Sequence, residues 1–131
     1  MNESDVKRNM VKNVKASGGY ARRIEDQYAV GMVDMVIIPR GLPVFMAEVK
    51  IVRDGVFGPT PRQFVELMGI HQAAEEGGHV IPVMIGYKVE TEVFYFHKPQ
   101  VVIACADSFS VTTGDMGFYD QLIQYYHSRR R

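Results

Sequence analysis

The stretch GMVDMVIIPRGLPVFMAEVKIV, Gly31 to Val52, sets the fold and poses the functional question. Two runs rich in Val, Ile, Met and Phe, separated by Pro39-Arg40-Gly41, read as strands over Met32 to Pro39 and Pro43 to Val52, joined as a hairpin by a short turn. Yet Asp34 stands inside the first run, while Glu48 and Lys50 end the second. Side chains at i and i+2 of a strand share a face, so Glu48 and Lys50 leave the sheet together while Ala47 and Val49 point the other way. Asp34 and Glu48 each lie seven residues from position 41. Pairing across the turn therefore sets them roughly opposite one another, within the ~5 Å that separates facing side chains.

Like charges so placed repel unless something positive lies between them. A divalent cation with oxygen ligands meets that need, and magnesium takes one or two carboxylates together with water and substrate phosphate. The plain structural alternative is a surface ion pair of Glu48 with Lys50 on an edge strand, with Asp34 as a polar residue near a turn. All three inside apolar strands are less easily explained that way, because unpaired charge on a core strand is costly and tends to mark function.

Outward from the hairpin, Ser4 to Lys15 reads as a helix with Ser4 as N-cap and Val6, Met10, Val11 and Val14 as its apolar stripe. Ser17-Gly18-Gly19 ends it, and Tyr20 to Ile24 is a short strand. After the hairpin, Gly55 to Pro61 is a loop leading into a helix over Pro61 to Glu76, with Thr60 as N-cap, Pro61 at its first position and Gly77-Gly78 as its stop. Strands are expected over His79 to Tyr87 and Val89 to His97, a further short strand or loop over Gln100 to Ala106, and a closing helix over Phe118 to Ser128. Helix, three strands, helix, strand is the order of a mixed α/β layer fold in one domain, residues 1–131.

Composition narrows the function classes. The chain is 47% apolar and 23% charged, ordinary for a globular protein. No apolar run approaches the ~18 residues of a spanning helix, and MNESDVKRNMVKNV lacks a signal peptide's apolar centre, so no membrane partner and an intracellular location are expected. Cys105 is the single cysteine, set in VVIACADSF, and reads as a small buried hydrophobe rather than a nucleophile. His71, His79, His97 and His127 show no zinc-ligand spacing. The formal net charge is zero, but residues 1–23 hold six basic residues against two acids and the chain ends in three arginines, which leaves the middle acidic by seven. Basic ends around an acidic middle fit a phosphate-binding rim around a carboxylate site, and equally fit solvated termini.

GMVD followed thirteen residues later by AEVK resembles the D…ExK signature of the PD-(D/E)XK nuclease superfamily. The glycine three residues before the aspartate, FMAEVK and the downstream GPTPRQ are similar to the VRR-NUC family, over roughly Glu3 to Gly86. That resemblance implies a restriction-endonuclease-like αβββαβ core, a mixed central sheet flanked by helices. It implies Asp34 and Glu48 as metal ligands with the Val49 carbonyl as a third, Mg2+ or Mn2+ as the ion, and Lys50 as the group that orients the attacking water and stabilises developing phosphorane charge. Gln63, at the start of the following helix, would lie near the site. Glu3 would be the first-helix acid that many relatives use, although its position in a helix's first turn also suits a dipole partner. The family usually has proline before the aspartate, where this chain has Val33.

These implications make the chain a divalent-metal-dependent endonuclease hydrolysing DNA phosphodiester bonds, structure-specific on branched or junction DNA and acting as a homodimer. A catalytically silent nucleic-acid-binding module and a sequence-specific restriction-type endonuclease are the alternatives. Arg22, Arg23, Lys12 and Lys15 are the expected contacts to backbone phosphates. ASGGYARR reads either as a backbone cradle for a phosphate or as a helix-ending loop, and Tyr125-Tyr126 with HSRRR either as a nucleic-acid clamp or as an amphipathic helix with a basic tail.

Overall fold

A computed structural model describes residues 1–24, 33–74, 77–111 and 116–129. The chain begins with α1 (Glu3–Ala16), then β1 (Tyr20–Arg23), β2 (Met35–Ile38), β3 (Val44–Ile51) and β4 (Val56–Phe57). Next come α2 (Pro61–Ala74), β5 (Val80–Lys88), β6 (Val93–His97), β7 (Ile103–Ala104), a 3-10 turn (Cys105–Asp107), β8 (Phe109–Ser110) and α3 (Phe118–Arg129). Six strands form one sheet in the order β1-β2-β3-β5-β6-β8, and β4 pairs with β7 as a separate two-stranded ribbon. The β3–β5 pair is parallel and the other pairs are antiparallel, so the sheet is mixed, as the αβββαβ expectation requires.

Strand alternation divides the buried residues into two cores. Ala21, Ile37, Phe45 and Ile81 are register neighbours on one face, joined there by Val6, Met10 and Val14 of α1 and by Phe118, Leu122 and Tyr125 of α3. The opposite face carries Met84, over which Leu67 of α2, Phe57 and Ile103 pack. Gly86 permits that second layer: a β-carbon there would come within 2.7 Å of the Phe57 ring.

Several boundaries differ from the sequence reading. The N-cap of α1 is Asn2, not Ser4, because Asn2 and Asp5 form a reciprocal capping box. The predicted strand over Val89 to His97 begins only at Val93: with Lys88 facing Val93, residues 89–92 make the turn, and Glu92 takes a positive φ of 54°. Gly55 to Pro61 is not wholly loop, since β4 lies within it; a two-residue strand shows no periodicity. Met32, Glu76, Arg130 and Arg131, which the sequence reading placed in elements or in the basic tail, fall outside the described residues. Among those described, no helix is long and apolar enough to cross a membrane.

Candidate active site

The β2–β3 register pairs Met35 with Ala47, which puts Asp34 and Glu48 in the next opposed positions, as the turn arithmetic predicted. The ladder, however, stops before them. Val49 N–H donates at 2.9 Å to Asp34 Oδ2, so a side chain completes the bond that the β2 backbone would otherwise make. One edge of β3 is thereby opened. N–H and C=O of a strand residue lie on the same edge, so the Val49 carbonyl also faces this opening. Two residues on, the Ile51 N–H reaches Glu3 Oε1 at 3.4 Å. Two acidic side chains therefore stand where a neighbouring strand would be.

Glu48 is fully buried, at 0% exposure, and neither of its carboxylate oxygens meets a hydrogen-bond donor among the described residues. Burial pushes its pKa up to about 9, helped by the neighbouring carboxylate of Asp34, while Lys50 and Lys7 pull it down only in part. Asp34 is better supplied: its Oδ1 pairs with Lys7 Nζ at 2.9 Å, both side chains being mostly buried. Sequence reasoning missed Lys7. The signal was present, since Lys7 lies one helical turn beyond Glu3 on the same side of α1.

Lys50 shares the face of Glu48 by strand alternation and is half-buried, beside Gly86 of β5 and the Phe57 ring that packs over that glycine. Gln63 sits in the first turn of α2, where its Oε1 accepts the Thr60 N–H at 2.9 Å and its own N–H reaches Thr60 Oγ1 at 3.3 Å, another capping box. The amide oxygen of Gln63 is thus committed to holding the helix start.

The donor set suits a hard cation. The two oxygens of Glu48 have no partner among the described residues, a second carboxylate stands beside them, and a backbone carbonyl shares the opened edge. Among the described residues no three His, Cys, Asp or Glu side chains gather closely enough to hold an ion by themselves. An ion here would rely on two carboxylates, main-chain oxygen and water or substrate, the manner of magnesium rather than of zinc or of a calcium cage.

The expected phosphate contacts do not form one patch. Lys12 and Lys15 are exposed on α1, but Arg22, paired with Val36, alternates onto the sheet face away from that helix, while Arg23 is half-buried on the other face. The cradle reading of ASGGYARR fails, because the N–H groups of Ser17, Gly18 and Gly19 all donate into the last turn of α1. Tyr125 and Tyr126 are core residues, which removes the clamp reading. Cys105 is half-buried, and burial raises its thiol pKa, opposite to what a nucleophile needs.

No family model and no curated protein matches the sequence. The fold does match: the structure of Archaeoglobus fulgidus Hjc, a Holliday junction resolvase from an archaeal hyperthermophile, superposes with a TM-score of 0.63, covering 83% of this chain and 96% of that one at 11% identity. What the two share at that identity is the architecture, a mixed six-stranded sheet with three helices in this chain, resembling the Hjc restriction-endonuclease-like fold.

Proposed function

We propose that this chain is a divalent-metal-dependent endonuclease that hydrolyses DNA phosphodiester bonds, acting on branched DNA. The observation that carries the reading is Glu48, a fully buried carboxylate with both oxygens unpartnered beside a second carboxylate, on a resolvase-like fold. A structural role explains that arrangement poorly, because unsatisfied buried acids are costly and replaceable by apolar residues. The VRR-NUC reading draws its support from the order of elements and from Gln63 in the first turn of α2.

Asp34, Glu48 and the Val49 carbonyl would hold Mg2+ or Mn2+, which when bound supplies an activated water and neutralises charge on the phosphoryl oxygens. Lys50, on the face of Glu48 by strand alternation, would orient the attacking water and oppose the charge that grows on phosphorus-bound oxygen. Glu3 and Lys7 would adjust the site's charge from α1. The Gln63 amide nitrogen, not used by the Thr60 cap, can donate to a substrate phosphate. Pairing of two chains about a two-fold axis would set two such sites against the paired strands of a junction.

The Lys7–Asp34 ion pair is also what a silent nucleic-acid-binding module would contain, so activity must decide. On a panel of branched and linear DNAs with Mg2+ or Mn2+, the wild-type chain should cut a branched form and Glu48→Ala should bind it without cutting, with a loss of at least a thousand-fold, about 4 kcal/mol. Absence of cleavage by wild type on every form ends the enzyme reading; cleavage of linear duplex at one short site would replace it with a restriction-type activity.

A further inference from the structure

A cavity of about 320 Å3 opens on the side of α1 that faces α3 and the β5–β6 hairpin. Met10, Phe94, Met116 and Phe118 supply apolar walls, and Asn9, Glu92 and Gln121 supply polar groups. Gln121 is only 5% exposed. Its Nε2 donates at 2.7 Å to the Met116 carbonyl, which fixes the amide's orientation, yet its buried Oε1 has no partner. An amide oxygen 95% buried and left without a donor among the described residues costs on the order of 1–3 kcal/mol, and its place in a cavity wall suits an N–H or O–H donor that enters the cavity.

The cavity is also placed for use. Helix α1 turns Glu3 and Lys7 toward the β3 edge and Asn9, Met10 and Asn13 into the cavity. Tyr87, in its wall, is the register partner of Ile51, whose N–H meets Glu3. Among the described residues no lysine or arginine side chain lines it and Glu92 does, which disfavours a phosphate as occupant. Flat apolar walls with an acceptor at depth suit a planar, uncharged group with N–H donors on its edge, and the volume lies at the small end of the ~300–1,000 Å3 range of ligand pockets.

We propose that this cavity receives one unpaired, amino-bearing nucleobase of the substrate, its exocyclic N–H donating to Gln121 Oε1 and its ring lying against Phe94 and Phe118. Enzymes that engage extruded bases read them in this way, by edge hydrogen bonds and apolar stacking. The assignment rests on the proposed nuclease reading for its occupant, but its test does not need cleavage.

The chain carrying labelled methionine methyls is titrated without metal with adenosine, cytidine and guanosine, and then with the N,N-dimethyl derivative of whichever binds. Saturable shifts are expected at the Met10 and Met116 methyls, which line the cavity, and none at Met35 and Met84, which lie elsewhere in the core. The dimethyl derivative should bind at least ten-fold more weakly. Asn9→Phe, a change at an exposed rim residue, should abolish the shifts while leaving Met35 and Met84 unmoved. Silence of Met10 and Met116 toward all three nucleosides, or equal binding of the dimethyl derivative, overturns the proposal and leaves Oε1 to an internal water. Nucleoside binding without metal-dependent cleavage would keep the cavity and remove the nuclease reading; cleavage without nucleoside binding would do the reverse.

Discussion

Glu48 carries two consequences of opposite kind, one for stability and one for chemistry. Its pKa is raised from 4.5 to about 9, so between those values the folded chain holds a proton that the unfolded chain has lost. Stability of the metal-free protein should therefore be highest below pH 4.5 as far as this group is concerned, and fall as pH rises toward 9, by up to ~1.4 kcal/mol per pH unit. Glu48→Gln should flatten that slope and exceed wild type in stability at pH 9, which urea denaturation across the range measures. A slope unchanged in the variant would show that Glu48 is not the titrating group. Residues of this kind were legible only in part. Alternation and turn arithmetic put Asp34 opposite Glu48 and Lys50 beside it in the sequence, but the Val49 N–H bond depends on where β2 stops, which no local pattern encodes, and the one-turn spacing of Lys7 from Glu3 tells only that they share a side of α1, not where that side docks.

At the scale of elements, the distinctive feature of the hairpin is the early end of its ladder. Asp34 replaces a backbone acceptor, so the acid holds an edge of β3 open while its strand still pairs with β1 through the Asp34 carbonyl and Ile24 N–H at 2.8 Å. On the neighbouring strand, Gly86 admits Phe57 next to Lys50. Gly86→Val should overpack that contact, destabilise the fold by about 1–3 kcal/mol and displace the β4–β7 ribbon beside the site. Thermal unfolding reads the first effect, and a wild-type melting temperature would contradict the packing described. The long elements were readable from periodicity and caps, and β7 falls within Gln100 to Ala106, read as a short strand or loop; β4 and β8, of two residues each, were not readable, because they exist only through their partners.

At the scale of the molecule, neutrality conceals a division of charge, with exposed cations on α1 and β1 and a largely buried pair of acids on β3 and just before β2. If α1 carries the phosphate contacts of the proposed nuclease, replacing Lys12 and Lys15, both exposed on that helix, by Ser should weaken DNA binding and lower the salt slope of log K by roughly 0.9 for each phosphate no longer neutralised. A slope that does not change would place the DNA elsewhere. The architecture agrees with the αβββαβ order read from the sequence and with that of a resolvase at 11% identity, so what the two chains share is the arrangement of sheet and helices. The most direct test of the site's geometry is anomalous diffraction from crystals of the chain soaked in Mn2+. A single manganese peak between Asp34 and Glu48, with the Val49 carbonyl among its ligands and Lys50 facing it, is the predicted result; manganese bound elsewhere with those carboxylates still bare would contradict the account.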